Sequence, residues 1–190
     1  MRPHSLAFPL VSRLINTATL VIVFSSEVGA QQCVNPKVPD CKFYSACMEK
    51  TCKCGFGATG YALSYGRKYC ERFLSRTDFS PSGVAWRDAT LRCLQERLVA
   101  ELPSDSKNCD CNRLRDVAYS THVACYTQSE RSVCDLSESD ISKIGDLVDA
   151  SDAFDSEGLK AILQIASQCL ISNPRNAWHV IQKYVASRQK

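Results

Sequence analysis

Apolar residues along this chain recur at helical spacing, and no segment sustains the alternation of a strand. Two runs set the pattern. In the first, Tyr69, Cys70, Phe73 and Leu74 fall on one side of a helix that begins near Tyr61. In the second, Leu91, Leu94, Leu98 and Leu102 make a seam, with Trp86 and Cys93 near the other edge of the apolar face. Between them, Phe79-Ser80-Pro81 reads as a helix start. Ser80 caps, Pro81 suits the first turn, and Phe79 staples back onto the helix. Pro103 to Ser106 then ends the second helix near Leu102.

The period continues on both sides. Asp40 can cap a short helix in which Phe43, Tyr44, Cys47 and Met48 share a side. Cys111, Leu114, Ala118 and Cys125 lie along one stripe of a helix over 111–126. Ser137-x-x-Asp140 resembles a capping box with aspartate in place of Glu or Gln, and Ile141, Ile144, Leu147 and Val148 give the helix after it one apolar side. Ser151 to Ser156 reads as a polar turn. Leu159, Ile162, Leu163, Ala166, Cys169 and Leu170 form the cleanest stripe in the chain. Asn173-Pro174 stops that helix and caps a last one, in which Trp178, Ile181 and Val185 share a face. These elements predict an all-α fold, a disulfide-stapled bundle of about six helices.

The first thirty residues change the picture. Arg2 and Arg13 are basic, Leu14 to Phe24 is mostly apolar, and Val28-Gly29-Ala30 places small residues at a cleavage site. This predicts a secretory signal removed before Gln31, because the run falls short of the ~20 residues needed to span a bilayer. The expected organisation is a signal peptide over 1–30, a cysteine-rich helical domain over 31–172, and a C-terminal helix with a basic tail over 173–190. The whole chain has a formal net charge of +3, which falls to +2 once Arg2, Arg13 and Glu27 leave. No Lys/Arg cluster points to nucleic acid, and no later stretch is long enough to span a membrane. The acidic residues gathered between Glu130 and Glu157 are expected to form a solvated surface.

All twelve cysteines lie beyond the cleavage site: Cys33, Cys41, Cys47, Cys52, Cys54, Cys70, Cys93, Cys109, Cys111, Cys125, Cys134 and Cys169. An even count in a secreted chain predicts six disulfides. Cys52-x-Cys54 and Cys109-x-Cys111 raise the rival of zinc. Zinc sites space paired thiolates two to four residues apart, so a one-residue spacer in an oxidising compartment favours disulfides. No metal and no cofactor are expected.

Candidate chemistry is thin. Gly55-x-Gly57-x-x-Gly60 has the letters of a dinucleotide-binding turn but lacks the βαβ unit that pattern requires. The run His122-Val123-Ala124-Cys125-Tyr126, with the glycine loop Cys54-Gly55-Phe56-Gly57, resembles secreted phospholipase A2. That family pairs a calcium-binding glycine loop with a helix bearing His-Asp-x-Cys-Tyr. Here Val123 stands where the chemistry needs a carboxylate beside the histidine base, and the loop lies some sixty residues upstream. His179, beside Trp178, reads as a packing or surface residue. No catalytic set is expected.

In series, the cysteines and their neighbours resemble stanniocalcin, a secreted disulfide-rich glycoprotein hormone. Cys41-x-Phe43 with Cys47-Met48-Glu49 is similar to its first cysteine cluster. Cys70-x-x-Phe73-Leu74 followed by Phe79-x-x-x-Gly83 resembles its most recognisable segment. Leu91-x-Cys93, Cys125-Tyr126, Cys134 and Cys169 continue in the same order. The resemblance implies pairing Cys33 with Cys47, Cys41 with Cys70, Cys93 with Cys125, and Cys134 with Cys169. It also implies a bridge from the Cys52/Cys54 pair to the Cys109/Cys111 pair. The family has one cysteine at each of those two places, and the two extra ones here are expected to bridge each other. Two departures stand out. No cysteine follows Cys169 to link two chains, so a monomer or noncovalent homodimer is expected. No Asn-x-Ser/Thr acceptor is present.

The resemblance implies a secreted, extracellular, non-enzymatic signalling or binding protein, hormone-like, with a role in mineral ion homeostasis and an extracellular protein or receptor as partner. The alternative is a secreted effector or defence-type binding module on the same scaffold. A degenerate phospholipase A2-like enzyme comes third.

Overall fold

A computed structural model describes residues 33–36, 39–104, 106–127, 131–153 and 156–187. The signal peptide expected over 1–30 and the basic end at 188–190 lie outside the described residues. Those residues form an all-α fold of seven longer helices with no strand among them. Helix α1 runs as a π-helix over Phe43–Glu49 and continues through Lys50–Cys52. Helix α2 likewise begins as a π-helix over Ala62–Arg67 and continues through Lys68–Ser75. Then come α3 (Pro81–Val99), α4 (Cys111–Thr127), α5 (Glu138–Leu147), α6 (Ser156–Ser172) and α7 (Pro174–Ser187). Single turns at Ser106–Asn108, Val133–Asp135 and Ala150–Ala153 fill the connections.

Local chemistry starts the helices. Ser80 Oγ accepts from the Gly83 amide at 3.1 Å, with Pro81 in the first turn of α3. Phe79 stacks on Phe73, ring centroids 6.5 Å apart. Ser137 Oγ accepts from the Asp140 amide at 3.2 Å, and Asn173 Oδ1 accepts from the Asn176 amide at 3.3 Å. Asp140 does more than complete its own cap. Its side chain is 0% exposed and accepts from the Ser80 amide (3.0 Å), the Ser80 hydroxyl (2.5 Å) and the Ser137 hydroxyl (3.0 Å). One carboxylate therefore ties the starts of α3 and α5 together. Gly83 makes room for it, since a Cβ there would lie 2.9 Å from Asp140 Cγ.

Helices α1 and α2 pack along their π-helical segments, where the Tyr44 ring lies against Gly66. The main core joins Phe43, Tyr44, Phe73, Trp86, Leu98, Ala118, Ile141 and Cys169. Six disulfides staple the helices. They are Cys33–Cys47, Cys41–Cys70, Cys52–Cys109, Cys54–Cys111, Cys93–Cys125 and Cys134–Cys169, with no free cysteine. Cys33–Cys47, Cys41–Cys70, Cys93–Cys125 and Cys134–Cys169 are pairs that the stanniocalcin resemblance implies, and the other two bridges join the doublets it links without choosing between their members. The doubled cysteines form two parallel bridges, first with first and second with second.

Three expectations need correcting. Helix α3 ends at Val99, not Leu102, and Leu102 is only half-buried. Its seam also contains a polar residue, the fully buried Gln95, whose Nε2 donates to the Asp40 carbonyl at 3.0 Å. The stripe of α6 is rotated. Ile165, Ala166 and Cys169 face inward, while Leu163 and Leu170 are exposed. Helix α7 likewise turns Trp178 and Val185 outward and buries Asn176 and Ala177. The cause is visible. Asn176 Nδ2 donates to the Cys134 carbonyl (2.7 Å) and the Leu136 carbonyl (2.8 Å), which sets the rotation of α7. Ala177 is small enough to let the helix sit close.

Part of the acidic stretch also has a structural use. Lys68 Nζ lies 2.7 Å from Asp149 and 2.8 Å from Asp152, and Arg72 Nη1 lies 2.6 Å from Asp149. Tyr69 donates to the Asp152 carboxylate. These pairs are partly exposed, so each adds little stability, but together they dock the turn after α5 onto α2.

Candidate functional site

Tyrosines at helical spacing line one side of α2. Tyr61, Tyr65 and Tyr69 stand one turn apart, so their rings meet in sequence. Tyr61 and Tyr65 have centroids 5.5 Å apart, and Tyr65 and Tyr69 4.5 Å. Helix α4 brings Tyr119, His122 and Tyr126 against this ladder. Tyr65 lies 5.0 Å from Tyr119 and 6.0 Å from His122, and His122 lies 5.9 Å from Tyr126. Tyr126 in turn packs edge-on against the buried Trp86 at 5.1 Å.

This aromatic wall closes one side of a cavity of about 130 Å³. The opposite walls are aliphatic: Val133, Ile141, Ile144, Ile162, Ile165 and Val180. Two charged residues also line it. Asp152 is engaged by Lys68 and Tyr69, and Lys183 Nζ sits 3.2 Å from Asp146.

His122 is the polar group of most chemical interest. Its Nδ1 lies 2.8 Å from the Ala118 carbonyl. A carbonyl only accepts, so Nδ1 carries the proton and Nε2 presents a lone pair. Burial pushes the imidazole pKa down against the opposing effect of the Ala118 and Tyr119 carbonyls, which favours the neutral ring. Burial also raises the phenols of Tyr65 and Tyr126 above their ordinary range, so both keep their protons. Tyr69 is pushed up to about 12, by burial first and then by its bond to Asp152.

The other residues singled out by sequence fall elsewhere. The Gly55 amide donates to both Glu49 carboxylate oxygens (3.0 and 3.1 Å), and the Gly57 amide donates to Ser64 Oγ at 2.9 Å. Gly55 and Gly57 have φ of 71° and 92°, which glycine adopts without strain. The loop is held to the first turns of α4 by Cys54–Cys111 and by Arg115, whose Nη1 donates to the Ala58 carbonyl at 3.3 Å. His122 lies eleven positions past Cys111, about 16 Å along the helix axis. The structure therefore does not bring the glycine loop and His122 together. His179 pairs with Glu138, Nε2 to Oε1 2.7 Å, on the surface between α7 and α5. Among the described residues no three His, Cys, Asp or Glu side chains cluster as a metal site, and no helix is long and apolar enough to cross a membrane.

The tyrosine ladder was readable in the sequence as Tyr61-x-x-x-Tyr65-x-x-x-Tyr69, but nothing local tells that it faces Tyr119, His122 and Tyr126. A second feature is the outer side of the α6–α7 hairpin. There Ile171 is 86% and Trp178 57% exposed, with Leu163, Leu170 and Val185 also open to solvent. Compared with known proteins, the chain matches no family model, no curated protein and no solved structure.

Proposed function

We propose that this chain is a secreted, non-enzymatic, stanniocalcin-like binding protein that offers a rigid surface to an extracellular protein or receptor. One observation carries the reading: all twelve cysteines close within one chain, four bridges in the pairs that the resemblance implies and two between the doublets it links. A domain so densely bridged belongs in an oxidising compartment. With no free cysteine left, association with a second copy would be noncovalent. The exposed Ile171 and Trp178 are the kind of apolar and aromatic groups that anchor protein interfaces. Hormone-like signalling, including a role in mineral ion balance, extends this reading from the same resemblance.

The test is direct. Oxidised, labelled protein added to the producer's own cells should bind saturably and be displaced by unlabelled protein. Replacing Trp178→Asp together with Ile171→Ser should weaken that binding by about tenfold or more while leaving the helical circular dichroism unchanged. Non-saturable binding, or equal binding after full reduction and alkylation, would overturn the proposal.

A further inference from the structure

We propose that the cavity between α2, α4, α5, α6 and α7 is a binding site for a small neutral molecule with an apolar body and one hydroxyl, of which a phenol is the simplest example. The inference is independent of the macromolecular partner proposed above, which would meet the outside of the fold.

Size comes first. An apolar cavity of about 150 Å³ in a protein core stays dry and takes benzene or xenon. The present cavity, at about 130 Å³, therefore suits a guest of one ring and a substituent. Shape and chemistry agree. The Tyr65, Tyr119, His122 and Tyr126 rings offer stacking and edge contacts to an aromatic guest. The isoleucines and valines opposite suit an apolar body, so the polar contacts of a guest are confined to the aromatic wall.

The polar anchor defines the substituent. Among the described residues, His122 Nε2 and the hydroxyls of Tyr65 and Tyr126 have no hydrogen-bond partner. Yet the only fully buried side-chain nitrogen or oxygen without a partner there is Gln95 Oε1. The three unpartnered groups thus still meet open space, and the cavity is the space their residues share. Nε2 can only accept while the ring is neutral, so the guest must donate. A tyrosine hydroxyl can donate in return. A guest hydroxyl satisfies both roles. A carboxylate does not, because Nε2 has no proton to offer it and burying an unpaired charge is costly. Asp152 and Lys183 are each already paired with other residues, so neither supplies a counter-charge.

The experiment uses the oxidised mature chain and three probes of similar size: 4-methylphenol, toluene and 4-methylbenzoate. Titration is followed by calorimetry and by methyl NMR shifts of the isoleucine and valine side chains. The expected result is saturable binding of 4-methylphenol with Kd on the order of 0.1–1 mM. Toluene should bind about tenfold more weakly, the worth of one hydrogen bond, and 4-methylbenzoate weaker still. In His122→Phe, which keeps a ring but loses the acceptor, the preference for 4-methylphenol over toluene should vanish. Ala161→Phe, which fills the space, should abolish binding of both. Should either variant fail to fold, the ranking of the three probes on the unaltered protein decides. Absence of saturable 4-methylphenol binding, equal affinity for toluene, tighter binding of 4-methylbenzoate, or a folded His122→Phe that keeps the preference would each overturn the assignment.

Discussion

Removing the Asp140 carboxylate should loosen the bundle more than any other single polar change. The side chain is fully buried, and it accepts from the Ser80 amide, the Ser80 hydroxyl and the Ser137 hydroxyl, groups up to 60 positions away. Hydrogen bonds to a charged group are worth ~1.5–3 kcal/mol each, and donors left unpaired by a deletion add their desolvation cost. Asp140→Ala should therefore cost about 3–5 kcal/mol, the range seen when one partner of a buried charged cluster is removed. Asp140→Asn keeps the volume and one acceptor. The two serine hydroxyls can rotate to accept from its amide, so the cost should be about 1–2 kcal/mol.

The pH dependence separates charge from shape. Burial opposes ionisation of Asp140, but the bonds from Ser80 and Ser137, with Lys143 3.7 Å away, outweigh it and hold the carboxyl below the usual carboxylate range. A group with a depressed folded pKa contributes stability that is fully present above its unfolded value, ~3.9, and lost as pH falls through the folded value. In urea titrations, the advantage of the unaltered protein over Asp140→Asn should stay constant from pH 7 down to about pH 5 and shrink below about pH 4. An Asp140→Ala cost below about 1 kcal/mol, or an advantage that widens on acidification, would refute this reasoning.

Other substitutions probe other parts of the scaffold. Gly66→Ala would drive a Cβ into the Tyr44 ring, against Cε1, in a packed core. Overpacking should outweigh the gain in helix propensity, for a net loss of about 2 kcal/mol by chemical denaturation. Lys53 closes α1 with φ 53° and ψ 42°, a left-handed conformation. Lys53→Gly should raise stability by about 1 kcal/mol in the same assay. Cys54–Cys111 runs beside Cys52–Cys109, and each spans 57 residues. With one bridge in place the other closes only a small ring. Replacing Cys54 and Cys111 together by serine should thus cost about 2 kcal/mol, where a lone 57-residue loop would predict about 4.

Much of the fold was legible because its causes are local. Ser80, Ser137 and Asn173 cap helices from within a few residues, and the leucine seam of α3 and the stripe of α4 follow from period alone. The cysteine count predicted six bridges, but the residues by themselves left the partners open, and the pairing was implied only through a family resemblance. The candidate site was legible only in fragments. The ladder of Tyr61, Tyr65 and Tyr69 has a readable spacing, while the cavity it borders is a gap left where five helices meet.

What the chain determined by itself was where the capped helices start, roughly where they stop, and that sulfur would join them. Period and capping are decided by neighbours within a turn or two, so they survive in the letters. Which side of α6 and of α7 faced inward was decided by tertiary contact. The apolar face of α6 is wide enough for more than one rotation, and α7 was turned by Asn176 reaching two carbonyls some 40 residues back. That choice buried Ala177, exposed Trp178, and left a cavity beside His122, because a helix settles where its buried polar groups are satisfied and its neighbours leave room.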